Sequence, residues 1–533
     1  MATKASLLWT NLVRTTVWRK RLVAHTYGRT LIVGLVLFVI FIALLAQVQF
    51  STPNLASTDD YYHIKFASLM RSEGLKPAFP WLPLTILNSR EFYDHHFLFH
   101  VGLIPFTFGD LRLGAKWASV VFASLAFLSI WWLLRNQRIP YAALWSLGLL
   151  AVSEAFIFRM SMTRVQSLSL AFLAFGLHFL LTGKHKRLIP LAFLYVWLYD
   201  AFPLILILTA AYVLSTWLIE RRLDLRPLIY AGIGIGLGLL INPYFPDNVV
   251  FIYRHLAPKM TERTAVSVGN EWFPYRTTTL LENSPLAMVA FLGGVLALGL
   301  QDRRMDTRTA TGFTLAVIFG LLLFQSRRFV EYFPAFALIF AALAWAPLLS
   351  GLAVGAGSGN DSTPRIGLLL RRKGLASAYK FRSPAIVLAL ILLPGMLLTL
   401  QDAQASLQGT SSYQRYAQAS AWLKANTPAG ARVFQTDWDD FPRLFYYNTY
   451  NTYLIGLDPT YMQLYNADLY DQWVEITEGK IDRPSEFISP RFGAHYVLTD
   501  LDHKNFIARA EKDSGLKQVY RDDEAIIYQI SEP

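Results

Sequence analysis

The sequence predicts a mainly α-helical protein that crosses a membrane many times and ends in a soluble α/β domain. Of its 533 residues, 54% are hydrophobic and only 16% are charged, and the mean hydropathy is +0.33. Apolar runs of about 20 residues, the length that a helix needs to span a bilayer, recur up to residue 400. The part from 401 to 533 is richer in charge and tyrosine, which is typical of a separate soluble domain.

About 11 segments have the length and composition of transmembrane helices, or between about 9 and 13 when the error in helix boundaries is included. They are residues 31–48, 113–135, 140–157, 166–182, 186–199, 201–219, 226–242, 285–301, 309–325, 330–349 and 384–400. The loops that this count places on the amino-terminal side are the basic ones. The positive-inside rule therefore puts the N-terminus in the cytoplasm.

The predicted topology divides the chain into three parts. Residues 1–28 form a basic cytoplasmic N-terminus without acidic residues, residues 29–400 a transmembrane domain, and residues 401–533 an external soluble α/β domain. Two large loops, 51–112 and 243–284, face the same external side. We therefore expect a multi-pass protein of a bacterial or archaeal plasma (inner) membrane, with a periplasmic or extracellular C-terminal domain.

Charge and cysteine content narrow the class further. The formal net charge is +12, and the chain has no cysteine. The absence of cysteine excludes disulfides and cysteine-ligated zinc. The excess positive charge lies largely in the predicted cytoplasmic loops, where membrane proteins commonly carry it, so it does not indicate a nucleic-acid partner. The composition indicates the lipid bilayer as a partner, but no protein partner is evident, and no internal repeat of the transporter kind is visible.

The C-terminal part alternates helical and strand patterns, as in a small α/β domain. The predicted elements are a helix over 411–425, strands over 432–435, 495–499 and 525–529, and a second helix near 503–513. An aromatic run over 441–448 is compatible with sugar or peptide binding. Such runs more often form core.

Two acidic residues follow the first predicted span directly. Asp59 and Asp60 begin a stretch that continues to His63, and acidic groups near hydrocarbon usually face water, a cation or a substrate. An aspartate that caps the start of a helix is the structural alternative. Two adjacent acids exceed what capping needs, so we favour a functional role.

The rest of loop 51–112 contains histidines and aromatic residues. Asp94, His95, His96 and His100 have the composition of a metal site, and interfacial histidines held by headgroups and water are the alternative. A cation-binding role for Asp94 is favoured over a zinc site. Trp81 is expected at headgroup level on short amphipathic helices along the membrane surface.

Arginines lie near the ends of several later spans. Arg327 and Arg328 are on the predicted external side, against the positive-inside bias, so a lipid phosphate or the nearby Glu331 should compensate them. Arg159 and Arg164 flank another external turn. Arginine geometry suits phosphate binding, and charges that snorkel at a helix end are the alternative.

Several stretches resemble the GT-C membrane glycosyltransferases, which use polyprenyl-phosphate sugar donors, and are most like the catalytic subunit of oligosaccharyltransferase. In chain order they are Asp59-Asp60-Tyr61-Tyr62-His63, Asp94-His95-His96-Phe97-Leu98, Ser267-Val-Gly-Asn-Glu271, Arg328-Phe329-Val-Glu-Tyr332, Trp422-Leu-Lys-Ala-Asn-Thr-Pro428 and Asp437-Trp438-Asp439-Asp440-Phe441-Pro442. The resemblance implies an essential acid at Glu271 and an arginine that meets the donor phosphate at Arg328. It also places Trp438 and Asp439 where the family recognises the hydroxyl residue of an acceptor sequon.

The chain departs from the family pattern at two places. Where the family carries an Asp-x-Asp or Asp-x-His pair before its fourth span, this chain has residues 164–166, Arg-Val-Gln. In the acceptor signature, Asp437 replaces the first Trp, and residues 440–441, Asp-Phe, replace the final Tyr-Gly. Because the acceptor signature is altered, the resemblance supports membership of the GT-C superfamily more strongly than it supports protein N-glycosylation.

The lost acidic pair bears on the cofactor. A divalent cation, Mg²⁺ or Mn²⁺, is the cofactor that the resemblance implies, and the absence of the pair leaves it open. Asp94 and Glu271 could supply the missing charge to a cation. Alternatively, Arg159 and Arg164 replace the metal by binding phosphate directly.

Sugar transfer from a lipid phosphate needs cationic groups on the leaving group and a carboxylate that deprotonates or orients the acceptor. Asp59 is the best candidate for that carboxylate, because it occupies the family's aspartate position. The full assignment is catalytic carboxylates at Asp59, Asp60, Asp94 and Glu271, donor-phosphate contacts from Arg328, Arg327, Arg164 and Arg159, acceptor contacts from Trp438 and Asp439, and metal ligands from Asp59, Asp94, His95 and His96.

The sequence therefore predicts an integral-membrane glycosyltransferase. It would transfer a sugar or oligosaccharide from a polyprenyl (pyro)phosphate to a protein, lipid or glycan acceptor on the outer face. The first alternative is a GT-C transferase that acts on lipid or polysaccharide rather than protein. The second is a non-catalytic binder or transporter of the polyprenyl lipid.

Overall fold

The computed structural model describes residues 28–261, 270–301, 303–354 and 384–531. The predicted basic N-terminus, apart from its last residue, lies outside these ranges, as do residues 267–269 of the motif that ends at Glu271. Within them the protein is mainly helical, with a small sheet near the C-terminus.

Helices α1 to α16 follow one another up to residue 408. They are α1 Gly28–Gln49, α2 Asp59–Glu73, α3 Phe97–Leu103, α4 Leu111–Asn136, α5 Ala142–Leu147, α6 Glu154–Met160, α7 Gln166–Leu181, α8 Leu188–Leu198, α9 Leu204–Glu220, α10 Arg226–Leu240, α11 Asp247–Thr261, α12 Thr277–Asn283, α13 Pro285–Gly299, α14 Thr307–Gln325, α15 Phe333–Val354 and α16 Pro384–Gln408. Each predicted span lies on one or two of these helices.

Several of these helices are candidate membrane spans. In the described part of the chain, α1, α4, α14, α15 and α16 are long and apolar enough to cross a membrane, by length and composition. Two further segments, α5 with α6 and α12 with α13, meet these criteria as pairs but bend by 87° and 84°. Helices α7 to α10 are shorter, at 11 to 17 residues. The described chain thus has the helices of a multi-pass membrane protein, and the number of about 11 spans stays a prediction.

The two bent pairs are joined to each other at their breaks. Ser153 caps α6, because its Oγ accepts from the N–H of Phe156 at 3.1 Å. The same Oγ donates to the carbonyl of Asn283 (2.9 Å) and lies 2.7 Å from Oγ of Ser284. The N–H of Ala287 donates to the carbonyl of residue 152 at 2.9 Å. Backbone groups freed by both breaks are therefore satisfied at one joint, which fixes the direction of α6.

Loop 51–112 packs under the C-terminal domain. Helix α2 packs on helix α18 (Phe441–Tyr447). The ring of Trp81 lies 4.9 Å from that of Phe445, and its Nε1 donates to the carbonyl of Thr449 at 2.9 Å. Trp81 is only 7% exposed. The prediction that Trp81 lies at headgroup level is wrong, because the C-terminal domain provides both its hydrogen-bond acceptor and its aromatic neighbours.

The C-terminal domain is built on a mixed sheet of order β2-β1-β3-β5-β4. Strands β1 and β2 are parallel, as are β1 and β3, while β5 is antiparallel to β3 and β4. The strands are β1 Arg432–Gln435, β2 Thr452–Tyr453, β3 Tyr496–Asp500, β4 Leu516–Arg521 and β5 Ala525–Ile530, and the helices are α17 Ala417–Asn426, α18 Phe441–Tyr447, α19 Thr460–Tyr465, α20 Ala467–Thr477, α21 Ser485–Phe492 and α22 Lys504–Ala510.

The predicted strands correspond to β1, β3 and β5, and the two predicted helices to α17 and α22. Strand β2 has only two residues, and β4 is a largely exposed edge strand, so neither carries an apolar signal. The aromatic run forms core, since Phe441, Leu444 and Phe445 are fully buried.

Gly456 leaves room for the aromatic core beside the turn that precedes α18. A Cβ at Gly456 would lie 2.3 Å from Cγ of Phe441. We expect Gly456→Ala to lower the free energy of unfolding by about 1–3 kcal/mol, because the added methyl group overpacks the core. Denaturant unfolding of the full chain in lipid tests this. Gly232→Ala is the control, since nothing lies within 4 Å of that position. Equal stability of the two variants would show that the ring of Phe441 does not exclude a side chain at position 456.

Candidate active site

A cavity of about 390 Å³ lies between helix ends of the transmembrane part and the C-terminal domain. Its walls come from the first turn of α2, the turns between α6 and α7 and between α8 and α9, the segments 95–96 and 457–461, and three short 3-10 turns, Asn270–Trp272, Arg327–Glu331 and Trp438–Asp440. The predicted site residues that line it are Asp59, His95, His96, Arg159, Arg164, Glu271, Arg328, Trp438 and Asp439. Eight separate segments of the sequence thus meet at one place.

Three predicted site residues lie outside this cavity. Asp60 is fully buried, and its carboxylate accepts from the N–H groups of Ser57 (3.1 Å) and Thr163 (2.8 Å). It therefore joins two loops, which differs from the catalytic role predicted for it. Arg327 points away, because its Nε donates to the carbonyl of Pro274 at 3.2 Å, so the phosphate contact predicted for it does not fit its position.

Asp94 is the third of these residues. It is buried beneath the cavity, where both carboxylate oxygens lie within 2.9 Å of Nδ1 of His100. A direct catalytic contact from Asp94 therefore does not fit its position. Asp94 instead forms a hydrogen bond with His100, which in turn forms one with His63 in the cavity wall.

Three arginines converge on the carboxylate of Glu271. Nη1 of Arg159 lies 2.9 Å from Oε2, Nη1 of Arg164 3.4 Å from the same oxygen, and Nη1 of Arg328 3.4 Å from Oε1. Burial alone would raise the pKa of Glu271, but Arg164, Arg159 and Arg328 together hold it well below its usual range. Glu271 is therefore ionised at neutral pH and acts as the counter-ion of the arginines.

Each arginine has a second partner that fixes its direction. Arg159 donates through Nε to Oε1 of Glu331 at 2.8 Å. Glu331 thus compensates Arg159, whereas the sequence placed it near Arg327 and Arg328. Arg328 donates to the hydroxyl of Tyr199 and lies 4.8 Å above the ring of Trp272. Guanidinium groups held this way present their remaining N–H donors to the cavity.

Asp59 faces the cavity from the first turn of α2. The helix starts at Asp59 and its N-cap residue is Thr58, so the capping alternative for Asp59 does not hold. Oδ2 of Asp59 lies 3.4 Å from Nη2 of Arg164. Burial raises the pKa of Asp59, although Arg164 acts in the opposite direction. This carboxylate is therefore suited to accept a proton in the cavity.

A chain of buried side chains runs from Asp94 to the cavity wall. His100 Nδ1 meets the Asp94 carboxylate at 2.8 Å, and His100 Nε2 lies 2.8 Å from Nδ1 of His63. If the carboxylate accepts from His100 Nδ1–H, then His100 Nε2 accepts from His63 Nδ1–H. Nε2 of His63, which has no hydrogen-bond partner among the described residues, is then bare at the cavity. Asp94 thus fixes the tautomer of His63.

The predicted metal ligands do not converge. No group of three or more His, Cys, Asp or Glu side chains in the described residues has the arrangement to hold a metal ion. Asp59 pairs with Arg164, and Asp94 with His100. His95 stacks on Phe251 (ring centroids 5.3 Å apart), and His96 on Tyr199 (5.5 Å). These four side chains therefore do not form the metal site suggested by their composition.

Several residues that line the cavity have no role assigned from the sequence. They are Tyr62, His63, Tyr199, Asp200, Trp272, Asp458 and Tyr461. His63 was visible as a polar residue one turn after Asp59 on the same helix face. Tyr199 and Asp200 end an apolar run at an external turn, a position where polar groups signal function. The aromatic neighbours Trp272 and Tyr461 gave no such signal.

The fold is similar to those of several solved structures. The apo oligosaccharyltransferase of Archaeoglobus fulgidus is one of them, with a TM-score of 0.63, 15% identity, and coverage of 94% of this chain and 74% of that chain. Oligosaccharyltransferase AglB from Archaeoglobus fulgidus, in complex with an inhibitory peptide and a dolichol-phosphate, gives a TM-score of 0.61 at 15% identity, with the same coverage. ArnT from Cupriavidus metallidurans, bound to undecaprenyl phosphate, gives 0.55 at 16% identity, covering 93% of this chain and 97% of that chain.

No protein-family model matches the chain, and no curated protein matches it. The similarity therefore concerns the fold. The chain has a divergent GT-C fold, and the resemblance found in the sequence is confirmed at this level.

Replacing Asp94 should reverse the hydrogen-bond chain. In Asp94→Asn the amide can donate to His100 Nδ1, so His100 can donate to His63 and the proton of His63 moves to Nε2. Nitrogen NMR of histidine-labelled protein in lipid, with His63→Gln to assign the signal, should show bare Nε2 in the wild type and protonated Nε2 in the variant. Glu91→Gln, an exposed change in the same loop, should leave the signal unchanged. A bare Nε2 in Asp94→Asn would contradict the control by Asp94.

Proposed function

We propose that this protein is a membrane glycosyltransferase that takes its sugar from a polyprenyl phosphate donor. The observation that supports this most is the convergence of Arg159, Arg164 and Arg328 beside the carboxylate of Asp59 in one cavity. The arginines could bind the phosphate of the donor, and the carboxylate of Asp59 could accept the proton of the acceptor nucleophile. The resemblance to oligosaccharyltransferase and ArnT, described with dolichol-phosphate and undecaprenyl phosphate, supports this class of donor.

The arginine cluster suits a phosphate group that leaves with increasing negative charge. Guanidinium groups offer two parallel N–H donors to phosphate oxygens, and preorganised charges cost no reorganisation during the reaction. Glu271 holds the same donors at 2.9–3.4 Å without the lipid. A bound phosphate would share or take these donors from Glu271.

Transfer then requires one bond to form and one to break. The acceptor nucleophile attacks the anomeric carbon of the sugar, and the bond from that carbon to the phosphate oxygen breaks. The electron pair of that bond stays on the phosphate, beside Arg159, Arg164 and Arg328. The proton of the acceptor moves to the carboxylate of Asp59, which burial has made more basic.

The proposed mechanism uses no divalent cation. The donor set around Asp59 does not suit one, because the guanidinium of Arg164 lies 3.4 Å from its carboxylate, at a position where like charge would repel a cation. The cations of the leaving-group site are then the arginines themselves.

The position of Trp438 and Asp439 suggests where the acceptor would bind. Trp438 and Asp439 line the cavity on the wall that the C-terminal domain contributes, and Asp439 accepts from the hydroxyl of Thr58, the neighbour of Asp59, at 2.8 Å. An acceptor held by this wall would approach the sugar from the external side. Protein, lipid and glycan acceptors are all compatible, and a non-catalytic polyprenyl-lipid binder is the alternative without chemistry.

Adjacent arginines provide a matched test of donor binding. We expect Arg328→Gln to weaken binding of a polyprenyl phosphate to the full chain in nanodiscs by about tenfold or more, because a buried phosphate contact is lost. Arg327→Gln, which removes the same charge next to it but outside the cavity, should change affinity by less than about twofold. Arg328→Lys should give an intermediate affinity. Equal losses for both glutamine variants would contradict the assignment of Arg328.

Removing the carboxylate of Asp59 separates binding from chemistry. With a mixed pool of polyprenyl-linked glycans and protein, lipid and polysaccharide acceptors, Asp59→Asn should lower transfer by about 10²–10⁴-fold while donor binding persists. Glu73→Gln, on the exposed end of the same helix, is the control. Wild-type transfer that survives EDTA supports arginines in place of a metal. If the wild type binds the donor but transfers to no acceptor, the non-catalytic alternative holds.

A further inference from the structure

Within the described part of the chain, one side of helix α11 (Asp247–Thr261) is exposed and apolar. We call this side the apolar face, and together with the turn before the helix it consists of Phe245, Val249, Val250 and Tyr253. These four side chains are between 41% and 75% exposed. Asp247 and Arg254 are the only charged residues in the stretch 244–254. Exposed apolar surfaces of this kind usually bind a membrane or another protein.

The opposite side of α11 packs against the wall of the candidate active site. Phe251 is only 4% exposed, and its ring stacks on that of His95 with the ring centroids 5.3 Å apart. The ring centroid of Tyr461 lies 5.6 Å from that of Phe251. Both His95 and Tyr461 line the cavity. Helix α11 therefore has apolar side chains on two sides, and the protein covers one of them.

Hydrogen bonds fix the first turn of α11 beside the last turn of α10. Nδ2 of the buried Asn248 donates to the carbonyl of Leu239 at 2.9 Å. In the turn between the two helices, Nζ of Lys76 donates to the carbonyl of Pro243 at 2.7 Å. The start of α11 therefore lies at the same level of the protein as the end of α10.

The exposed side of α10 (Arg226–Leu240) is also apolar. Its large exposed residues recur every three or four positions, so they lie on one side of the helix, and they are Ile229, Ile233, Leu237 and Leu240. In a multi-pass membrane protein, an exposed apolar side of a hydrophobic helix faces lipid. The series continues through Ile241 and Phe245 into α11. The apolar face thus continues the lipid-facing surface of α10 at the end of that helix.

We propose that α11 lies in the surface of the bilayer and that its apolar face is embedded among the lipids. Interfacial helices bury such a face about 5–10 Å into the boundary between headgroups and acyl chains. Tyr253 is the most exposed of the four residues, and tyrosine is enriched at this boundary. The continuity with α10 favours lipid over a second copy of the chain, because a protein partner would also have to cover the lipid-facing end of α10.

The bilayer then supports the cavity wall from outside. It holds α11 in place, and α11 holds the ring of Phe251 against His95 and Tyr461. This inference concerns the position of a helix, so it does not depend on the proposed glycosyl transfer.

A fluorophore on a single cysteine measures the contact with lipid, because the chain has no cysteine of its own. Val250→Cys and Tyr253→Cys are labelled in the full chain and placed in nanodiscs. The lipids carry a nitroxide quencher either near the headgroup or near the end of the acyl chain. We expect the nitroxide near the headgroup to lower the fluorescence at both positions at least about twofold more than the deep nitroxide does. Both native side chains are exposed, so the labels leave the core intact.

Two control positions calibrate the depth. Ile233→Cys, on the lipid-facing side of α10, should be quenched by the deep nitroxide more than either position of α11 is. Asp523→Cys, at an exposed position of the C-terminal domain, should be quenched by neither nitroxide. Labels at 250 and 253 that iodide in water quenches and neither lipid quenches would overturn the proposal. Labels shielded from both iodide and lipid would also overturn it, because a protein surface would then cover the apolar face.

A charge on the apolar face tests the insertion of the helix itself. With the fluorophore at Val249→Cys, Tyr253→Asp should lower the quenching by the nitroxide near the headgroup at least about twofold, because a carboxylate disfavours burial among lipids. Asp247→Asn, an exposed change on the same helix but outside the apolar face, should leave the quenching unchanged. Equal quenching in the parent and both variants would contradict insertion, since the label would then reach the lipids without the helix.

Discussion

The carboxylate of Glu271 holds three arginines together, and the arrangement of the site depends on these ion pairs. Guanidinium groups at such close range repel each other, and removing the partner of a buried charge typically costs about 3–5 kcal/mol. Glu271 and Glu331 compensate this repulsion in the structure. A donor phosphate would have to compete with Glu271 for the same N–H groups. Its affinity would therefore depend on how much more strongly the arginines bind the phosphate than they bind the carboxylate of Glu271. Such a site favours ligands of greater charge than one carboxylate.

The ion pairs form only because the helices are interrupted where the charged residues lie. Arg159 ends a helix that turns sharply after the joint between Ser153 and Ser284, and Glu271 and Arg328 occupy separate 3-10 turns. These two turns are joined, since Oγ of Ser326 donates to the carbonyl of Glu271 at 2.8 Å. In a continuous helix the same side chains would lie against apolar neighbours. Each interruption therefore brings a charge to the wall of the cavity.

Composition and spacing predicted the fold class and the β1, β3 and β5 strands, and together with the family resemblance they predicted most of the charged residues that line the cavity. What they did not predict depends on side-chain direction. Arg327 and Arg328 are chemically identical neighbours, and only the 3-10 turn decides that Arg328 faces the cavity while Arg327 bonds the carbonyl of Pro274. Asp94 and His100 look like metal ligands in sequence, but helix α3 turns them toward each other. The partner of Arg159, Glu331, is 172 positions away, beyond the reach of any local pattern.

If arginines replace a metal in the proposed reaction, donor binding can change the pKa of Asp59. A guanidinium keeps its charge at all physiological pH values and stays with the chain, so the proposed leaving-group site would not depend on a cation supply. Arg164 contacts both Glu271 and Asp59. If the proposed donor phosphate drew Arg164 to itself, Asp59 would lose the cation that lowers its pKa most, while the burial that raises this pKa would remain. In the proposed reaction the bound donor would therefore make Asp59 more basic and prepare the carboxylate that receives the proton.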